Sequence, residues 1–194
     1  MIRALSNLIG RSERAALRAL VLVLPLMILV NVAGRALKAP IFWLDELAVL
    51  TMVWLAMLGL SVTLQTREAV AVTLLTDAVP ETACKMLRCT ADLVVLGFAV
   101  ALLVLCYLWF DPLSLWRHGF DFDAFAAQSF NFIYQEPTST LGVAKFWFWL
   151  ILPLVAFTSS IHALANLLDS LRAPYPAPGA GPAAGPAAAT GSGE

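Results

Sequence analysis

Charge is scarce in this sequence. Of its 194 residues, 13% are charged and 60% are hydrophobic, and the mean hydropathy is +0.82. Soluble domains are about one quarter charged and about half apolar, so the composition argues against a soluble protein. Long uncharged runs lie between Glu46 and Arg67, between Asp92 and Asp111, and between Lys145 and Asp169. Each run can cross a bilayer as one helix, which takes about 20 residues.

Another apolar run, nearest the N-terminus, is shorter than these three and contains a polar residue. Arg18 and Arg35 bracket sixteen residues that include Asn31. Arg18 must therefore extend toward the headgroups if this run spans the membrane. A cleaved signal peptide is the alternative, because basic residues precede the apolar core of 19–30. Retention of this span is the interpretation we adopt, and it gives four helices.

The predicted fold class is an all-α integral membrane protein, with four transmembrane helices and a long outer loop between helices three and four. The membrane domain covers 15–170, with spans at about 15–34, 46–66, 90–110 and 146–168. We expect a cytoplasmic N-terminus at 1–14, a periplasmic aromatic-rich loop at 111–144, and a disordered tail rich in proline, alanine and glycine at 173–194. Eight lysines and arginines against four predict that both termini are cytoplasmic.

Residues that carry enzyme or cofactor chemistry are few. The two histidines, His118 and His162, fall on opposite sides of the predicted membrane, which argues against a bis-histidine haem. The three cysteines have no Cys-x-x-Cys spacing and suit apolar packing. His118 has Asp121 and Asp123 nearby, and a solvated turn is a better interpretation of this cluster than a metal site. His162 follows a run of hydroxyl side chains, 158–160, that suit bonds between helices. We therefore predict no catalytic, cofactor or metal site.

Polar residues instead gather where the first two helices meet. Asn31 and Arg35 are four apart and share one helix face. Asp45 and Glu46 stand at the start of the second helix, where the helix dipole stabilises an anion. We expect an ion pair between Arg35 and Glu46 that ties the two helices; capping and solvation without a specific pair is the alternative. Beside them, Trp43 suits the membrane interface.

Small residues that permit close helix packing in lipid are sparse. Gly59 in the second helix and Gly97 in the third are the principal candidates. A bundle with so few such contacts needs a larger surface to settle against. We therefore expect these two glycines to contact a partner.

Four short motifs carry a family resemblance. They are "NVAGR", "WLDELA", "WLAMLGLSV" and "TSTLGVAKFWFWLILPL", which occur in this order within 15–170. Together they resemble the small permease subunit of tripartite ATP-independent periplasmic (TRAP) transporters, the DctQ-like family. Two departures from the family pattern are Ala69, where many relatives have histidine, and the loop at 111–136, which is longer than usual.

The resemblance implies an accessory subunit of the bacterial inner membrane that binds a large TRAP permease subunit. In such systems a periplasmic binding protein delivers an organic acid, often a dicarboxylate or sialic acid, for sodium-coupled uptake. Membrane lipid is then the other partner, with no nucleic acid and no cofactor. The runner-up is a self-contained small oligomeric channel or transporter, whose pathway would use hydroxyls such as Thr51, Ser61 and Thr63. A membrane enzyme is a third alternative.

Overall fold

The computed structural model describes residues 2–66 and 81–172. Within these ranges the chain forms seven helices: α1 (Ile2–Ala36), α2 (Phe42–Thr66), α3 (Glu81–Phe110), α4 (Pro112–Arg117), α5 (Phe122–Ser129), α6 (Phe146–Trp149) and α7 (Ile151–Arg172). The only extended pairing in the same ranges is an isolated bridge between Pro137 and Ala144. The predictions for Ala69 and for the tail at 173–194 lie outside the described residues.

Four helical segments are long and apolar enough to cross a membrane. They are Ile2–Ala36, Phe42–Thr66, Ala83–Arg117 and Phe146–Arg172. The predicted all-α membrane fold is therefore confirmed. We call the end of the bundle that carries residues 111–145 the outer end, and the opposite end the inner end.

The first helix is longer than its predicted span of 15–34. With 35 residues it extends about 52 Å, well beyond the roughly 30 Å of a hydrocarbon core. Ser6, Gly10 and Glu13 are spaced four and three apart, so they share one face, and all three are buried. The segment 1–14 thus contributes, from Ile2 onward, a helical packing face at the inner end.

The last helix, α7, is the centre of the bundle. It packs against α1, α2 and α3, whereas α1 and α2 also pack on each other as a helical hairpin. Leu58, Ile151 and Val155 form the buried core where α2 meets α7, and Leu17 and Trp54 cover it. The third helix makes its main contact with α7, so most of its remaining surface is exposed.

A break separates α6 from α7 in the fourth span. Pro153 explains it, because proline lacks the N–H that would bond the Trp149 carbonyl and its ring crowds that carbonyl. The indole N–H of Trp54 donates to the neighbouring Phe148 carbonyl at 2.9 Å. The second helix is thereby fixed to the fourth span beside the break.

The outer segment at 111–145 folds into a compact unit rather than an open loop. Asp111 and Asp121 cap α4 and α5 by accepting backbone N–H bonds from the first turns. Phe110, Leu115, Phe125, Ile133 and Tyr134 form its buried core. The Tyr134 hydroxyl donates to the Phe110 carbonyl at 2.5 Å, and burial raises the pKa of this hydroxyl. The unit is therefore anchored on the end of α3.

Candidate functional site

The outer ends of α1 and α2 are tied by charge, although not by the expected pair. Arg35 forms its ion pair with Asp45, and the Asn31 side-chain amide donates to the same carboxylate. Glu46 binds elsewhere. Adjacent helical residues point about 100° apart, so when Asp45 faces α1 its neighbour must face another element. The hypothesis of an Arg35 to Glu46 ion pair is thus corrected.

Glu46 binds the loop that enters the fourth span. Its carboxylate accepts the backbone N–H groups of Ser139 and Thr140, both at 2.7 Å, and the Thr140 hydroxyl at 2.7 Å. The N–H of Leu141 adds a longer bond of 3.3 Å. Three successive N–H groups that converge on one carboxylate form an anion-binding nest. The second helix is therefore fastened to α1 and to residues 139–141 by two neighbouring acids, an arrangement that we call the outer clasp.

A tight turn positions the three N–H groups. The backbone N–H of Thr138 donates to the Val143 carbonyl at 2.8 Å, and the Val143 N–H donates to the Thr138 hydroxyl at 3.0 Å. Gly142 has a φ of 71°, which a side chain would strain. At the base of the turn, Lys145 pairs with Glu136 at 2.7 Å. These bonds present the N–H groups of residues 139–141 to Glu46.

The other predicted site residues lie at the surface. Trp43 is half exposed beside the outer clasp. A Cβ added to Gly59 or Gly97 would meet nothing within 4 Å, so neither glycine mediates close packing within the described chain. The space beside each glycine is thus open within the described chain, and contact of these glycines with a partner stays a prediction.

A second polar cluster lies at the inner end, and we call it the inner network. His162 is fully buried between α1 and α7. Its Nε2 lies 3.2 Å from the Glu13 carboxylate and its Nδ1 lies 2.7 Å from the Ser6 hydroxyl. Ser61 of α2 donates to Glu13 at 2.8 Å and contacts the Thr158 hydroxyl at 3.2 Å. The buried imidazole of His162 and the buried carboxylate of Glu13 thereby join α1, α2 and α7.

Further polar bonds surround the inner network. Gln65 of α2 donates to the Ser6 carbonyl at 2.9 Å and accepts a bond from Arg14. Asn166 of α7 donates to the Leu64 carbonyl at 2.7 Å and accepts from Arg3 at 2.8 Å. Because polar contacts and small residues hold helices together in lipid, these bonds fix the relative positions of α1, α2 and α7.

Gly10 permits this packing, and sequence reasoning missed it. A Cβ at Gly10 would lie 2.0 Å from the Gln65 side-chain oxygen. The missed signal was the row Ser6, Gly10 and Glu13, a small and polar stripe in a segment that otherwise carries arginines. Glu13 was overlooked because it lies outside the apolar run that defined the span.

The histidine and acids of the outer segment serve as helix caps and turn contacts. Asp121 caps α5, while both His118 nitrogens face acceptors, namely the Ser114 carbonyl and the Gln128 side-chain oxygen. These hydrogen bonds, and more weakly the charges of Asp121 and Asp111, raise the pKa of His118. Across the described ranges, no group of three histidine, cysteine or acidic side chains has the placement of a metal site.

Comparison with protein families decides the identity. The family model of the DctQ component of tripartite ATP-independent periplasmic transporters matches residues 24–173. The chain belongs to the DctQ family. No curated protein matches its sequence. Membership in this transporter family, together with four span-length helices, makes the chain a multi-pass membrane protein.

The DctQ match contains the entire outer clasp, and it explains why separate motifs resembled the family. Asn31 and Arg35 come from "NVAGR", Asp45 and Glu46 from "WLDELA", and residues 139–141 from "TSTLG". These three motifs meet at one place in the fold. By contrast, Ser6 and Glu13 precede the matched range, so the inner network joins residues inside and outside the DctQ match.

Proposed function

We propose that this DctQ-family chain is the accessory subunit that scaffolds the large TRAP permease. The permease takes up an organic acid, coupled to sodium, after a periplasmic binding protein has delivered it. The chain itself binds neither the acid nor the ion. Retention of the first span is part of this proposal, and it is supported by the contacts that α1 makes at both ends of the bundle.

One observation carries the proposal: the acids in the outer and inner clusters bond to this chain's own groups. Asp45 binds Arg35 and Asn31, and Glu46 binds backbone N–H groups. Glu13 binds Ser61 and His162. A site for a transported cation or acid needs polar groups that can exchange their partners for the substrate. Here such exchange would break the contacts between helices.

The distance between the two clusters gives further support. Glu46 and Ser61 lie fifteen residues apart on α2, which corresponds to about 22 Å along the helix axis. Between them, Thr51 is the one hydroxyl or charged residue of α2. The self-contained channel that was the runner-up requires a polar path across this distance. Apolar helices with polar ends are better suited to packing against another subunit.

Co-purification tests the partnership. The tagged chain, expressed with a large TRAP permease subunit from the same organism, should be recovered in a one-to-one complex. The crowding variants Gly59→Leu and Gly97→Leu should lower permease recovery while leaving the subunit folded, because both positions are open within this chain. Val49→Leu, at another exposed position of α2, is the matched control. Recovery of the chain without any permease would contradict the proposal.

We also propose the bacterial inner membrane as the location, with both termini cytoplasmic. The eight-to-four distribution of lysine and arginine supports this orientation. A reporter active only in the cytoplasm should be active when fused after Arg172 and silent when inserted near Gln128. The reverse pattern would overturn the orientation while leaving the partnership intact.

A further inference from the structure

The outer segment exposes several aromatic rings that lie outside its buried core. Trp116 is 71% exposed and Phe130 is 80% exposed, and Phe120 and Phe132 are also largely exposed. Trp116 packs edge-on against Phe120, with ring centroids 6.0 Å apart. We call Trp116, Phe120, Phe130 and Phe132 the aromatic face. The unit therefore buries Phe125 completely while it leaves these four rings at its surface.

Two of these rings occupy positions where an aromatic residue is unfavourable. Phe120 follows α4 with a φ of 63°, and Phe130 ends α5 with a φ of 54°. Their backbone N–H groups close the helix ends by bonding to the Leu115 and Ala126 carbonyls. Glycine is the usual residue in such a left-handed cap, because a bulky side chain strains the backbone there. Despite this strain, Phe130 is 80% exposed in the described chain.

The aromatic face continues the apolar surface of a membrane span. The Asn131 side chain, between Phe130 and Phe132, donates to the Trp109 carbonyl at 2.7 Å. Trp109 lies in the last turn of α3, whose exposed surface includes Leu105 and Leu108. Phe130 and Phe132, the neighbours of Asn131, therefore lie beside the end of α3, where this helix leaves the hydrocarbon.

The other spans carry exposed aromatic residues at the same end. Phe42 and Trp43 begin α2, and Trp147 lies in α6 at the start of the fourth span. Aromatic rings that occur at the ends of several helices form a belt, and belts of this kind mark the boundary between hydrocarbon and headgroups. A protein partner would instead cover one contiguous patch.

We infer that the aromatic face docks on the bilayer, with its rings at the boundary between headgroups and acyl chains of the outer leaflet. The outer segment then lies flat on the membrane beside α3. Its buried core faces the rest of the protein, and charged side chains such as Asp123 face water. The Glu46 contact with residues 139–141 holds one end of this segment, and the lipid holds the other.

Spin-label accessibility tests this docking. In a variant without the three native cysteines, a nitroxide is attached to the new thiol of Phe130→Cys or, separately, of Phe132→Cys. Asp123→Cys, at an exposed acid in the first turn of α5, is the matched control. Nanodiscs are cut directly from cell membranes, so that the chain keeps its partners. Collision rates are then measured with oxygen, which concentrates in lipid, and with a water-soluble nickel chelate.

The proposal predicts high oxygen and low nickel collision rates at positions 130 and 132, and the opposite at position 123. High nickel rates at 130 and 132 would place the face in water and overturn the proposal. Low rates for both reagents would overturn it in favour of a protein partner, such as the permease.

A second measurement needs no cysteine substitution. Fluorescence of the wild type minus that of Trp116→Phe isolates Trp116, while a ring is kept at this position. Lipids brominated near the headgroup should quench this difference by at least half. An unquenched difference would contradict docking. Both measurements report depth and not transport, so their failure would leave the proposed accessory function standing.

Discussion

Removal of His162 should destabilise this protein more than removal of its partner Glu13. Without Glu13, His162 keeps the Ser6 hydroxyl and Ser61 keeps the Thr158 hydroxyl. Glu13→Leu thus loses two bonds. Hydrogen bonds between membrane helices contribute about 0.6 kcal/mol on average and about 1.7 kcal/mol at most. We expect a loss of about 1–3 kcal/mol in the free energy of unfolding.

His162→Leu has a different consequence. Glu13 is 6% exposed, and this variant leaves its carboxylate buried without the imidazole, with hydroxyl groups such as that of Ser61 as its remaining partners. Breaking a buried pair in this way costs about 3–5 kcal/mol. In the double variant, which combines Glu13→Leu with His162→Leu, no unpaired carboxylate remains. The double variant should therefore be more stable than His162→Leu alone, by about 1–3 kcal/mol.

Unfolding in mixed micelles by titrated dodecyl sulfate, followed by tryptophan fluorescence, measures these differences. Arg11→Leu, an exposed position on α1, is the control and should change stability by less than about 0.5 kcal/mol. The reasoning is refuted if the losses of the two single variants add in the double variant. It is refuted equally if Glu13→Leu matches the control.

Three further predictions concern other contacts. Glu46→Ala, but not Asp45→Ala, should raise hydrogen exchange at residues 139–141 by tenfold or more, because Glu46 alone accepts those N–H groups. An equal rise in exchange in the two variants would contradict the geometry of the outer clasp. Gly10→Ala should lower stability in the wild type, because the added Cβ displaces the Gln65 side chain. In a Gln65→Ala background the same substitution should raise stability by up to about 1 kcal/mol, because alanine favours helix. A loss of stability in both backgrounds would contradict the role of Gly10 in making room for Gln65. Because the pKa of His118 is raised in the folded protein, its contribution to stability is complete below about pH 6.5 and is lost as the pH rises through the raised pKa. Hydrogen exchange of residues 112–129 should therefore increase over that pH range in the wild type but not in His118→Phe.

Composition and the spacing of charges were sufficient to predict the fold class. Long uncharged runs have few alternatives to spanning helices, because backbone groups in lipid must bond internally. The resemblance of four motifs also led to the correct family. These features are local in the sequence, so they can be recognised without knowledge of tertiary contacts.

The pairing of particular side chains could not be predicted in the same way. Asp45 and Glu46 are neighbours in sequence, and only the rotation of α2 decides which acid faces Arg35. The bond between Glu46 and residues 139–141 spans more than ninety positions, and no local pattern indicates it. Glu13 lies in a charged segment, so its burial depends on where α2 and α7 place Ser61 and His162.

The outer segment illustrates a third limit. The sequence predicted an aromatic-rich loop here, but composition does not distinguish rings in a core from rings on a surface. Phe125 and Phe130 are five residues apart, yet one is buried and the other is 80% exposed. The caps of α4 and α5 decide the difference, because they set the direction of each short helix.

Reconstitution in liposomes tests the accessory role most directly. The purified chain, alone in liposomes with an inward sodium gradient, is supplied with a radiolabelled dicarboxylate or sialic acid. Matched liposomes also contain the large permease that co-purifies with the chain, and they receive the periplasmic binding protein. We predict no uptake above that of empty liposomes for the chain alone, and gradient-dependent uptake for the complete system. Ion-driven uptake by the chain alone would contradict the accessory role and establish an independent transporter.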